Sequence, residues 1–300
     1  MPYLPHILLL SGLLQAPPGP PEAPEPPTPP VETSRSSEDL RVEIVPTVWF
    51  PRLLGSYSFG AGGTSFDVET DTYLHDSELA FQGELDYRFD EWTIRILGTE
   101  FSTSGSGQLQ ENATVAGVAL AAGDDWSSEY SQWSIGAEVD YALWRPFADE
   151  PFPWSGENRR KDNTDQDGDY LVEFRMGPRL GFRYLHVNQT FDSVSGGVST
   201  SFDGGVAALL LGVLVEIQFD TRPLISWLPL LSVEAGATVS PILAGGSGYL
   251  SSIEASLRPY FTHNASLILG FRLQGTSISA EEYEREGSVM GLVAGFSLEF

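Results

Sequence analysis

From Leu40 onward, stretches in which apolar residues return at every second position appear repeatedly, and helical periodicity is nearly absent. Period two requires extended strands, each with two chemically different faces. The pattern predicts ten strands, at 40–50, 77–89, 92–103, 128–146, 170–190, 206–219, 229–241, 249–261, 265–277 and 288–300. Asp90-Glu91 and His263-Asn264 read as minimal hairpin turns, and 220–228 as a modest one. Longer connections rich in Gly, Ser and Asp are expected at 51–76, 104–127, 191–205, 242–248 and 278–287. Short and long connections alternate, except that a long insert, 147–169, stands where a short turn is due. Strand number stays open between eight and twelve, because 51–76 and 104–127 have room for more, with Val115 to Leu120 the best extension.

Alternation alone does not say which phase faces inward. At 170–190 one face is Val172, Phe174, Met176, Pro178, Leu180, Phe182 and Tyr184; the other is Glu173, Arg175, Gly177, Arg179, Gly181 and Arg183. Glycine on a solvent-facing strand position weakens a sheet for no gain. Inside a narrow barrel it makes room for long neighbours. The polar phase is therefore assigned to the lumen. There Glu43, Glu84, Asp86, Arg88, Arg95, Glu138, Asp140, Glu173, Arg175, Arg179, Arg183, Glu216, Glu234, Glu254, Arg258, Arg272 and Glu299 are expected to pair, since buried charges persist only when paired. Tyr87, Phe89, Trp92, Tyr141, Phe219, Phe261 and Phe300 share the apolar phase and gather at the short-turn ends, as an interfacial girdle would.

Short turns alternating with longer loops resemble bacterial outer-membrane β-barrels. The last strand, with Leu292, Phe296, Leu298 and the terminal Phe300, resembles their sorting signal. The resemblance covers about 40–300. It implies an all-β, closed antiparallel transmembrane barrel of about ten strands, an up-and-down meander, located in the bacterial outer membrane. Outer-membrane lipid and the barrel assembly machinery are the partners it implies.

Residues 1–16, with the apolar run Ile7 to Leu14, are expected to be a signal peptide, and the Pro-rich, acidic 17–39 a disordered linker. The formal charge of −25, with 41 acidic residues against 16 basic ones, argues against nucleic acid as a partner, because phosphate contacts need clustered Lys and Arg. No cysteine is present, so there is no disulfide or thiolate metal site. No nucleophile elbow, phosphate loop or His-Glu-x-x-His motif occurs, and no enzyme activity or cofactor is expected. Two minor candidates remain. Asn163, Asp165, Asp167 and Asp169 alternate around Gly168 like the first half of a calcium loop, but Phe174 stands where a ligand Glu is needed. His75-Asp76 and Asp124-Asp125 lie near outer strand ends, where a His and a carboxylate could activate water. The expected function is a structural, adhesive or ligand-binding role through the outer loops, with a plugged charged interior. The alternatives are a small porin-like channel, a soluble secreted barrel and a rim hydrolase.

Overall fold

The structure, a computed structural model, describes residues 41–74, 79–89, 91–144, 172–222, 224–225, 227–262 and 264–300. The expected signal peptide, the linker and the 147–169 insert lie outside the described residues. In chain order the strands are β1 (Arg41–Phe59), β2 (Phe66–Asp67), β3 (Ala80–Phe89), β4 (Trp92–Gln108), β5 (Ala113–Val115), β6 (Val118–Leu120), β7 (Asp125–Tyr141), β8 (Val172–Ser193), β9 (Val198–Asp220), β10 (Leu230–Ala244), β11 (Ser247–Thr262), β12 (Ala265–Ala280) and β13 (Tyr283–Glu299). Ten of them form a closed antiparallel barrel in up-and-down order. β2 only adds to the edge of β1, and β5 and β6 form a separate hairpin.

Closure is made by β13 against β1, in continuous register from Glu43 opposite Glu299 to Phe59 opposite Tyr283. Val42 and Phe300 exchange backbone hydrogen bonds at the end of this seam, with N···O distances of 3.3 and 2.9 Å. A hydrocarbon surrounding offers backbone groups no partner, so this closure is what lets a sheet cross it.

Each expected strand is present, but most expected outer loops are not. β8 and β9 are joined across residues 194–197, β10 and β11 across Gly245-Gly246, and β12 and β13 across Glu281-Glu282. The Gly-, Ser- and Asp-rich stretches taken for loops at 191–205, 242–248 and 278–287 are largely strand. They keep period two, but their outward phase is polar, so composition hid the continuing ladder. Val115 to Leu120 adds no barrel strand; it falls within the β5–β6 hairpin.

The outward surface explains that composition. Ile44, Phe81, Ile96, Ile135, Leu180, Leu211, Val213, Ile253, Leu269, Leu292 and Phe296 all stand exposed on the barrel wall. At the short-turn end Trp92 lies 4.6 Å from Tyr141, and Trp227 stacks on Phe261 at 6.0 Å. A second aromatic rim stands opposite, where Phe50, Phe81, Trp133 and Tyr249 are exposed and Trp133 packs on Tyr184. Trp133 to Tyr141 spans one wall from rim to rim. At ~3.4 Å per residue and a tilt of ~40° that is about 21 Å, close to the apolar height of membrane barrels. Above the second rim the outward phase becomes polar. β4, β7, β8 and β9 align Ser104, Glu129, Thr190 and Ser201 in one cross-strand row, and Ser106, Ser127, Asp192 and Ser199 in the next. The strands are long because they run past the membrane into a hydrophilic crown.

Leu211 and Ser201 occupy the same phase of β9, in the apolar band and the crown respectively. Leu211→Arg is expected to destabilise the barrel by roughly 2–4 kcal/mol, while Ser201→Arg stays close to neutral, because the penalty follows depth in the bilayer. Reversible unfolding of the protein folded in lipid vesicles measures the difference.

Candidate functional site

The inward phase fills the barrel in three layers. At the short-turn end lies an ion-pair network. Arg95 reaches Glu84 at 3.0 Å, Asp86 at 3.2 Å and Glu234 at 3.2 Å. Arg179 holds Asp140 at 2.7 Å and Glu138 at 3.4 Å, and also pairs with Glu254. Arg258 lies 3.2 Å from Glu43 and 3.6 Å from Glu234. Arg272 closes on Glu254 at 2.7 Å and donates to Gln82. Arg88 bridges Glu43 at 3.2 Å and Glu216 at 3.6 Å; Arg175 joins Glu216 at 3.6 Å and Glu173 at 3.9 Å; Arg183 holds Glu138 at 3.0 Å. Glu299 faces Glu43 across the seam, and the like charges are separated by their own cations, Arg41 at 3.6 Å from Glu299 and Arg88 and Arg258 on Glu43. The lumen residues expected from the sequence are inward, and all of them but Glu299, which pairs with Arg41, join in one ion-pair network.

Glycine has two duties here. A Cβ at Gly236 would press on Glu254 Oε1 at 3.1 Å and on an Arg179 guanidinium nitrogen at 3.2 Å, so this position does leave room for long side chains. At Gly295 the obstacle is instead the Pro46 carbonyl of the neighbouring strand, 2.5 Å from such a Cβ. The second duty, close approach of coiled strands, was not expected.

Above the charges sits a belt of neutral polar pairs. Thr99 and Ser134 share a hydrogen bond of 2.7 Å, as do Thr238 and Ser252. Above that the lumen turns apolar and aromatic, around Trp49, Leu53, Phe101, Trp126, Tyr130 and Phe191, all buried. Two connections fold over this layer. The segment following β1 inserts Phe66, which stacks on Phe191 at 5.0 Å, and buries Val68 and Leu74 completely. The β5–β6 hairpin buries Val115 and is tied to the first segment by Thr64 N donating to Thr114 O at 2.8 Å and Thr114 N to Thr64 Oγ1 at 2.7 Å. This aromatic layer and its cap were missed in the sequence, where the lumen was expected to be polar. The available cue was Val48 to Leu54, apolar in both phases except for Arg52.

The minor candidates fare differently. Asn163, Asp165, Asp167 and Asp169 lie outside the described residues, as do His75 and Asp76. Among the described residues no group of three or more His, Asp and Glu side chains is placed to hold a metal ion. Asp125 accepts a hydrogen bond from Gln108 at 3.1 Å, and Asp124 caps the Ala121 N–H at 2.9 Å. A histidine–carboxylate pair does occur elsewhere: His186 Nε2 lies 3.0 Å from Asp203 Oδ1 on the outer wall, beside Trp133.

An apolar wall between two aromatic rims, enclosing paired charges, defines a transmembrane β-barrel of the outer-membrane kind. Solved structures similar to this chain are small bacterial barrels of that kind. Neisserial surface protein A is 12% identical, with 86% of this chain and 97% of that one covered and a TM-score of 0.34. Ail of Yersinia pestis is 11% identical, with 85% and 98% covered and a TM-score of 0.33. The translocator domain of the autotransporter NalP from Neisseria meningitidis is 11% identical, with 87% and 88% covered and a TM-score of 0.34. No family model matches the chain, and no curated protein matches it. The assignment to the class rests on the inside-out barrel itself.

Arg179, like Arg95, pairs with four carboxylates of the network. Arg179→Met is expected to cost about 3–5 kcal/mol, because it strands buried carboxylates rather than removing a whole pair. The double variant Arg179→Met, Asp140→Asn is expected to lose less than the sum of the two single changes, as coupled neighbours do. Unfolding midpoints in denaturant test both.

Proposed function

We propose that this chain is a non-conducting outer-membrane barrel that acts through its extramembrane crown, in a structural, adhesive or ligand-binding role. The observation that carries this reading is a lumen obstructed at both levels. The charge network fills the short-turn half, and aromatic side chains under a two-segment cap fill the other. A ten-stranded barrel encloses little space to begin with. An opening within the ion-pair layer, bordered by Glu84, Arg95, Glu234 and Arg258, has a volume of about 40 Å³, enough for water and not for a solute.

The crown, rather than long loops, is the working surface. Two shallow clefts lie on it. One, of about 470 Å³, is bordered by Ser56, Ser58, Ser277, Ser279, Glu284 and Glu286; the other, of about 380 Å³, by Ser102, Ser104, Glu129, Ser131, Asn188 and Thr190. Carboxylates outnumber cations on these borders, with Glu129, Glu284 and Glu286 against Arg285, a balance that suits uncharged hydroxylated or cationic partners and repels polyanions.

Purified protein in planar bilayers is expected to show no steady conductance; a reproducible open level would establish the channel reading in its place. On a sulfated polysaccharide column at low salt the protein is expected in the flow-through, and retention would rule out the crown as an anion-repelling surface.

A further inference from the structure

Arg285 departs from every other deeply buried arginine of the barrel. It projects inward from β13 into the aromatic layer and is only 2% exposed. Arg95, Arg179, Arg183 and Arg258, similarly buried, each have a carboxylate within 3.2 Å. Arg285 has none among the described residues, and none of its three guanidinium nitrogens has a hydrogen-bond acceptor. Its sequence neighbours Glu284 and Glu286 are exposed on the opposite phase, so the sheet itself separates them from the guanidinium. Its Cζ sits 4.3 Å from the centre of the Tyr130 ring. That cation–π contact offsets only part of the cost of burying a full charge, and an arginine cannot shed its proton to escape it.

The surroundings are those of an incomplete anion site. The Tyr283 hydroxyl, two residues away on the same face, lies beside the guanidinium, and its own proton has no acceptor. Burial pushes that phenol above its ordinary range, so it remains a donor. In the next inward row, Gly55 stands opposite Gly287, and Thr276 stands opposite Gly287 on the other side. Gly55 adopts φ +102°, a conformation that excludes a side chain. Gly55 and Gly287 let the two backbones approach closely there, since a Cβ on either would meet the partner strand's backbone at 2.3 and 2.2 Å. Beyond this row Leu53 and Val289 close the layer.

We propose that Arg285 and Tyr283 form a buried binding site for a small anion, no larger than phosphate, which serves as the missing counter-charge in the aromatic layer. The guanidinium is only 2% exposed, and the packed Leu53 and Val289 beyond the glycine row leave no room for an anion with a long apolar tail. The site differs from the crown surface, which repels polyanions: the guanidinium points inside the barrel wall, and its 2% exposure restricts access to small ions. This inference stands apart from the proposed function, since a barrel that failed to bind an anion would remain plugged.

Thermal unfolding of the purified full chain in detergent tests it. Sodium phosphate, sodium acetate and sodium chloride are compared at matched ionic strength with the sodium salt of morpholinoethanesulfonate, an anion too large for the site. At least one small anion is expected to raise the midpoint saturably, by about 2 °C or more. Which of the three acts identifies the ion. Arg285→Met is expected to abolish the response and to raise the midpoint in the large-anion buffer. Ile278 lies directly opposite Arg285 on β12, so Ile278→Glu is expected to supply a fixed carboxylate and remove the response while Arg285 is retained. A wild-type midpoint indifferent to all three anions overturns the proposal. So does an undiminished response in Arg285→Met, or in Ile278→Glu should the first variant not fold.

Discussion

The hydrogen-bonded seam between β1 and β13 is the constraint on which everything else depends. In hydrocarbon each unpaired backbone group costs several kcal/mol, so a sheet with an open edge cannot stay there. Closure with ten strands fixes a narrow lumen. That lumen must then be filled by whatever the inward phase carries, because the outward phase is committed to lipid. The inversion relative to a water-soluble barrel follows from this single requirement.

The filling follows a gradient along the axis. Arginines from β3, β4, β8, β11 and β12 interleave with carboxylates from β1, β3, β7, β9, β10 and β11, so that most charges have more than one partner. Such a network gives orientation more than net stability, since ion pairs must repay their desolvation. Nearer the crown the same phase changes to aromatic and aliphatic side chains, which carry no charge to be paired, and the cap segments complete that packing. The two halves thus block the lumen by different physics: one by paired charge, the other by packed volume.

Strand existence and phase were legible because period two survives any register. Val172 to Tyr184 against Glu173 to Arg183 needed no tertiary knowledge to sort. Strand length was not legible. Once outside the bilayer a strand can be polar on its outward face, so Ser199, Ser201 and Asp203 look like loop residues although they are paired through β9. The aromatic layer was concealed for a related reason. Trp49 and Leu53 alternate with Phe50 and Leu54, and nothing local distinguishes a residue that fills a lumen from one that faces lipid.

The sequence by itself determined an all-β barrel, its two-faced strands and the set of charges that share its interior, because alternation and burial cost act position by position. Only the tertiary structure decided which charges meet, where the lumen changes from ionic to aromatic, and that Arg285 is left without a carboxylate. Those outcomes depend on strand stagger and on chain segments far apart in sequence arriving at one height in the barrel, and no period along a single strand records that height.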